Sequence, residues 1–322
     1  MDMTRWRLIV NGKAAGAPAL REAVATRRDR GVDVAVRVTW EHGDATRYAG
    51  EAIDDGVDCI VAGGGDGTLG EVAAALAARA ASARVPDLAL LPLGTANDFA
   101  TAAGIPDDLE AAFALVDRDA VPVDVLRIVA DGRECWCMNV ATGGVGTHAT
   151  ADVNEGLKRH LGSLSYLLGS LRAIRNMERH PVELDGPDFH WQGDVLALAI
   201  GNARQAGGGH PVCPDACIDD GLLDVTVVPD LPEGVVGALK TALTDGREAV
   251  VDQAAERARL PRVELRAARP LTLHLDGEPV EAVHFRIECV ARRLRMRLPA
   301  DCALLCGAGA PGPDRIGPRE PL

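Results

Sequence analysis

The sequence predicts a two-part fold: an amino-terminal α/β domain on a parallel sheet, followed by an antiparallel, β-rich, sandwich-like domain. Three observations predict it. Residues 57–62 form a short apolar run of strand length, four glycines then surround Asp66, and Leu69, Val72, Ala73, Leu76 and Ala77 follow at helical spacing. Strand-like and helix-like segments alternate on both sides of that stretch as far as residue 125. Beyond Pro122 the pattern changes to alternating segments punctuated by Asp-Gly pairs, the mark of hairpins.

Taken in order, residues 7–10 are apolar and end at the polar Asn11-Gly12-Lys13, residues 17–30 are helix-permissive, and Gly31 stops them. Residues 32–40 alternate like a strand, and 44–55 return to helical composition. After the glycine loop and its helix comes a strand at 88–91 and a second strand–loop–helix turn at Gly94-Thr95-Ala96-Asn97-Asp98. Asp107 and Glu110 have the spacing of a capping box opening a helix towards Val116.

In the second half, residues 123–129 and 135–140 read as strands joined at Asp131-Gly132. Turns are expected again at Asp185-Gly186, Asp220-Gly221 and Asp276-Gly277, between strands at 195–200, 223–228, 271–275 and 284–290. Two helices interrupt them. Leu157, Leu161, Leu164, Leu168 and Leu171 form a stripe that packs a core, with a membrane-facing role as the alternative, and residues 235–243 form the other helix. Arg293, Arg295 and Arg297 share one strand face, expected to be solvated, with contact to lipid phosphates as the alternative. The expected units are 1–125, 126–306 and a Gly/Pro-rich tail at 307–322 without a packed core.

The glycine loop carries the chemistry. A helix start behind it presents free N–H groups and a positive dipole end, which suit an anion, and glycines let a phosphate approach the backbone. A carboxylate repels a bare phosphate, so Asp66 makes sense when a divalent cation lies between them. A Walker loop is excluded because no Gly-Lys-Ser/Thr occurs. Gly65-x-Gly67-x-x-Gly70 matches a dinucleotide fingerprint, but the strand at 88–91 runs into Pro92-Leu93-Gly94 with no acidic ribose ligand. A purely structural glycine turn leaves Asp66 unexplained.

Composition narrows the partners. With 322 residues, 47% hydrophobic, the chain can fill one large core or two moderate ones. A net charge of −13 argues against nucleic acid, which needs a basic field. No signal peptide and no apolar run long enough to span a membrane is visible, so a soluble or at most peripheral protein is expected. The eight cysteines form no CxxC pair and are expected to be reduced, small core residues.

GGGDGT (63–68), LPLGTANDFA (91–100) and LDGEP (275–279) together resemble the diacylglycerol kinase catalytic-domain superfamily, most closely its bacterial lipid kinases of the YegS type. VTWEHGDA (38–45), ATGGVGT (141–147), FHWQGD (189–194), GNARQAGGG (201–209) and IDDGLLD (218–224) fit the same subgroup in the same order, so the likeness covers roughly residues 5 to 305. The resemblance implies a Rossmann-like nucleotide domain of the NAD kinase/diacylglycerol kinase type. It places ATP on Thr39, on Gly65, Asp66, Gly67, Thr68, Leu69, Gly70 and Glu71, and on Thr95. Asp66 and Asp98 are expected to place the catalytic Mg²⁺, with Ca²⁺ as the alternative hard cation, and Glu278 to be the general base. A second cation is implied at the Asp220 carboxylate and the backbone oxygens of Cys217 and Leu222. One position departs: where the family commonly has Asn, this chain has Gly70.

The expected activity is ATP-dependent phosphorylation of a glycerolipid hydroxyl, of the phosphatidylglycerol or diacylglycerol type, by a cytoplasmic protein working transiently at the inner face of the membrane. The alternatives are an NAD or sugar-phosphate kinase of the same superfamily and a non-catalytic nucleotide or lipid sensor.

Overall fold

The computed structural model describes residues 4–79, 84–144, 180–230 and 255–306. Its first part runs β1 (Arg5–Asn11), α1 (Pro18–Asp29), β2 (Asp33–Thr39), α2 (Asp44–Asp54), β3 (Cys59–Gly64), α3 (Asp66–Arg79) and β4 (Asp87–Pro92). β1 pairs in parallel with β2 and β3, and β3 with β4, giving the spatial order β2-β1-β3-β4. Because these strands run one way, their carboxyl ends share an edge: Asn11 stands opposite Thr39, and Gly64 opposite Pro92. Every β3 side chain is buried, as expected for a strand inside a parallel sheet with helices over it. α4 (Asp98–Ala103) and α5 (Leu109–Leu115) follow β4. The α5 cap is Asp108, whose carboxylate accepts the Ala111 N–H at 2.9 Å, and not Asp107. Two adjacent aspartates left that choice to backbone geometry.

The second part runs β5 (Val121–Ala130), β6 (Arg133–Cys137), β7 (Val140–Gly144), β8 (His180–Gly186), β9 (Phe189–Gly201), β10 (Gln205–Ala206), β11 (His210–Pro211), β12 (Leu223–Pro229), β13 (Glu256–Leu260), β14 (Arg262–Leu275) and β15 (Glu278–Met296). These strands pair antiparallel. Positive φ at both residues of Asp131-Gly132 and of Asp276-Gly277 gives the hairpin turns β5–β6 and β14–β15 their twist. Asp185-Gly186 is not a turn: both lie in β8, and the chain reverses at Pro187-Asp188. Gly186 serves close approach instead, since a β-carbon there would meet the Arg262 carbonyl at 2.9 Å.

β15 joins the two parts. It pairs with β14 and β5 along most of its length and then lies parallel to β4 at Met296, making one continuous sheet. Leu294, Met296, Leu298 and Leu304 therefore pack in the same core as Leu8, Ile60, Leu69 and Phe99, and a second core holds Leu126, Leu198, Leu273 and Phe285. The expected boundary at 125/126 falls inside β5.

The arginine row at the end of β15 and just beyond it is solvated at Arg295, yet each of its members is engaged with the first part. Arg293 donates to the Ala77 carbonyl at the end of α3 and stacks 5.0 Å over Trp136; Arg295 and Arg297 both pair with Asp87, and Arg297 also reaches the Val116 carbonyl. These side chains fasten the returning strand to the first part. Cysteine needs a correction too: the sulfurs of Cys217 and Cys306 are bonded to each other, joining loops 89 residues apart in sequence. The leucine stripe, residues 235–243 and the tail lie outside the described residues, among which no helix is long and apolar enough to cross a membrane.

Candidate active site

The two glycine loops at the carboxyl edge of β3 and β4 touch backbone to backbone: a β-carbon on Gly65 would meet the Gly94 Cα at 3.2 Å. Asn97, at φ 52°, holds the second loop in shape by accepting the Gly94 N–H at 2.9 Å and donating to the Pro92 and Gly94 carbonyls. Asp66 lies at the start of α3, and its carboxylate accepts the N–H groups of Asp98 (3.0 Å) and Phe99 (2.9 Å) at the start of α4. Asp98, buried, in turn accepts the N–H groups of Gly208 (2.9 Å) and Gly209 (2.5 Å). A chain of carboxylate-to-amide contacts thus runs from α3 through α4 to the β-rich part. Burial pushes the Asp66 carboxyl above its usual range, against the two N–H donors, and the charge of Asp98 adds to the rise.

Gly70 sits where α3 meets the β14–β15 turn. A β-carbon there would lie 2.9 Å from both Cβ and Oδ2 of Asp276. Asp276 holds the turn in place by accepting the N–H groups of Met138 (2.7 Å) and Asn139 (2.8 Å), and burial pushes its carboxyl up to about 6. Two residues further on, Glu278 opens β15 with its side chain half exposed. His42 Nδ1 stands 3.5 Å from Glu278 Oε1 and 3.6 Å from Glu71 Oε1. Glu71 itself accepts the N–H groups of Gly43 and Thr46 at the start of α2.

The structure therefore brings Gly65, Asp66, Gly67, Thr68, Leu69, Gly70 and Glu71 together with Asp98 and Glu278 around the first turn of α3. Thr68 and Leu69 are buried, with Thr68 packed against Gly64, so these two shape the loop from beneath. Thr39 ends β2, its carbonyl directly against Gly12, and Thr95 is exposed in the second glycine loop, both on the same edge. Cys217, Asp220 and Leu222 form a separate group on the loop before β12.

Both groups suit a hard divalent cation. Asp66 and Asp98 raise the local negative charge, and among the described residues neither forms an ion pair. Around Asp220, repulsion from Asp219 adds to burial in raising its carboxyl, Asp220 and Asp219 do the same to Asp124, and Asp224 is pushed to about 7, mainly by burial. Arg259, paired with Asp220 and Asp224, offsets part of that charge. The Cys217 sulfur is committed to Cys306, so Cys217 has its carbonyl to offer a cation.

Sequence reasoning missed Asp276, Asn139, Gln205 and His42. Among the described residues, Asn139 Oδ1 and Gln205 Oε1 are buried acceptors without a partner, and the Asn139 side-chain amide donates to the Gln205 carbonyl. The signals for Asp276, Gln205 and His42 were present in LDGE, GNARQAGGG and VTWEHGDA, but which members of those stretches face the site depends on the fold, and Asn139 lies outside every quoted motif.

Comparison with known proteins agrees with this arrangement. Residues 5–128 match the diacylglycerol kinase catalytic domain, and residues 139–297 match the YegS C-terminal NAD kinase beta sandwich-like domain. The chain is 56% identical to "Probable lipid kinase YegS-like" of Stenotrophomonas maltophilia (strain K279a), over 95% of this chain and 100% of that one. It is 47% identical to the protein of the same name from Enterobacter sp. (strain 638), over 92% and 97%. A solved diacylglycerol kinase from Bacillus anthracis str. Sterne shares the fold at TM-score 0.66 and 22% identity, and a second chain from that organism superposes at TM-score 0.74 and 26% identity; each covers 94% of this chain and 99% of its own. With a diacylglycerol kinase catalytic domain, a YegS-type β sandwich-like domain and relatives at this identity along nearly its whole length, this chain belongs to the YegS-like lipid kinase family.

Proposed function

We propose that the protein is an ATP- and Mg²⁺-dependent lipid kinase that transfers the γ-phosphate to a hydroxyl of a glycerolipid, of the phosphatidylglycerol or diacylglycerol type. One observation carries the reading: the turn bearing Glu278 packs on the same helical turn that bears the Asp66 loop, through Gly70 and Asp276. A carboxylate able to take a proton is thereby held beside a loop built for phosphate, although the two are about 200 residues apart in the chain.

Phosphoryl transfer asks the protein for alignment, charge neutralisation and a group to orient the nucleophile. The backbone from Gly65 to Glu71, with Thr39 and Thr95 on the same edge, binds and aligns the triphosphate. Asp66 and Asp98 would hold the metal, which when bound would neutralise the phosphate charge. Glu278 accepts the proton of the lipid hydroxyl as its oxygen bonds to phosphorus and ADP leaves. The second cation, at Asp220 with the carbonyls of Cys217 and Leu222, is structural or regulatory. The lipid reaches the site from the inner face of the membrane, which the protein contacts peripherally from the cytoplasm.

The test is transfer of label from γ-labelled ATP to separated membrane lipids, with NAD and sugar phosphates as soluble acceptors in parallel. Label in a glycerolipid alone is expected. Label in a soluble acceptor, or ATP binding without transfer, contradicts the proposal.

A further inference from the structure

His42 stands between the two carboxylates Glu71 and Glu278, one from each half of the candidate site, and nothing in the reading above uses it. Its Nδ1 lies at ion-pair range of Glu71 on α3 and of Glu278 on β15, 3.6 and 3.5 Å away. The contrast between these two carboxylates is informative. Glu71 is held, since its Oε2 accepts two N–H groups at the start of α2. Glu278 is half exposed, and His42 is its one ion-pair partner among the described residues. His42 is presented by a rigid loop, because Asp44 accepts the N–H groups of Trp40 (2.8 Å) and Glu41 (3.2 Å) immediately before it. Together with the Arg47 guanidinium, those bonds hold the Asp44 carboxyl down at about 2, so it is ionised and bonded at neutral pH.

We infer that His42 is a positioning residue for Glu278: its Nδ1, set between Glu71 and Glu278, fixes Oε1 and leaves Oε2 to take the proton of the acceptor hydroxyl. The inference rests on the kinase reading and adds to it the means by which the base is oriented. An exposed ion pair of this kind contributes only ~0–1 kcal/mol to folding. Its value is geometric. A glutamate free about three torsions spends little time pointing at the nucleophile, and a ring nitrogen shared with a fixed carboxylate restricts it. Two carboxylates facing one side chain also explain why a basic residue stands here, in a protein that is acidic overall. The contact lengths exceed hydrogen-bond range and are expected to shorten when substrate closes the site.

The experiment compares wild type with His42→Ala, His42→Gln and His42→Lys in the labelled-lipid assay, measuring kcat, KM for ATP and Tm. The inference predicts a fall of about 10- to 100-fold in kcat for Ala and Gln, KM for ATP within about twofold and Tm unchanged, with Lys recovering most of the rate because it again offers both carboxylates a donor. Four outcomes overturn it: unchanged kcat in the Ala variant, loss expressed in KM rather than kcat, loss that tracks a fall in Tm, or no recovery by Lys while Glu278→Ala is inactive. A wild-type protein that labels no lipid removes the kinase reading itself, a result distinct from all four.

Discussion

Gly70→Ala is the sharpest probe of how the two halves of the site are joined. The added methyl group would sit 2.9 Å from Cβ and Oδ2 of Asp276, where ordinary contact begins at 3.4 Å, so one partner must move by about 0.5 Å. The Asp276 side chain has little freedom to give way, because it is buried and bonded to two backbone N–H groups. Overpacking of this kind costs about 1–3 kcal/mol, while replacing glycine inside a helix returns ~1 kcal/mol. The net effect on stability is a loss of about 0–2 kcal/mol, a few degrees of Tm at most. The effect on rate is larger, because the turn that shifts carries Glu278. With a 1 Å misplacement costing on the order of 100-fold, half that distance corresponds to roughly 10-fold in kcat. The assay is lipid labelling at saturating ATP beside thermal unfolding. An alanine variant with raised Tm and full kcat would show that α3 and the turn are not in contact, and the reasoning would fail.

Further outcomes follow from other contacts. Asp98→Ala removes the acceptor for the Gly208 and Gly209 N–H groups and should lower stability by about 2–3 kcal/mol, read as a shifted urea midpoint; a shift below ~0.5 kcal/mol would contradict the geometry. Asp276 and Asp224, raised to about 6 and about 7 from 3.8, bind protons more tightly folded than unfolded. Their contribution is therefore complete below 3.8 and is lost as pH rises through 6 to 7, and Asp224→Asn should flatten the upper part of that fall in urea midpoint. An unchanged slope would count against Asp224 as its source. Arg293→Ala should lower Tm while leaving sedimentation with anionic vesicles as it was, since this arginine is spent on the Ala77 carbonyl and Trp136; weakened vesicle binding at unchanged Tm would restore the lipid-contact reading.

The elements that were legible in the sequence are those set by local chemistry. The apolar run before Asp66 and the helical spacing after it locate β3 and α3, and Asp131-Gly132 and Asp276-Gly277 mark their turns because both residues must take positive φ. What was not legible depends on partners distant in the chain. Gly70 departs from the family's usual Asn, and only the fold brings Asp276 against it. Arg293, Arg295 and Arg297 share a strand face, but period alone does not reveal that Asp87, Ala77 and Val116 lie opposite. Gly186 resembled a turn residue, yet it is needed for the close passage of Arg262. Cys217 and Cys306 carry no local sign of their pairing.

The central claim is that Glu278 is the base beside a phosphate-binding Asp66 loop, and Glu278→Gln tests it most directly by keeping shape while removing basicity. The measurement is γ-phosphate transfer to separated membrane lipids together with equilibrium ATP binding. The account predicts a fall of roughly 100- to 10,000-fold in transfer with ATP affinity retained. Transfer at the wild-type rate by the glutamine variant would contradict it.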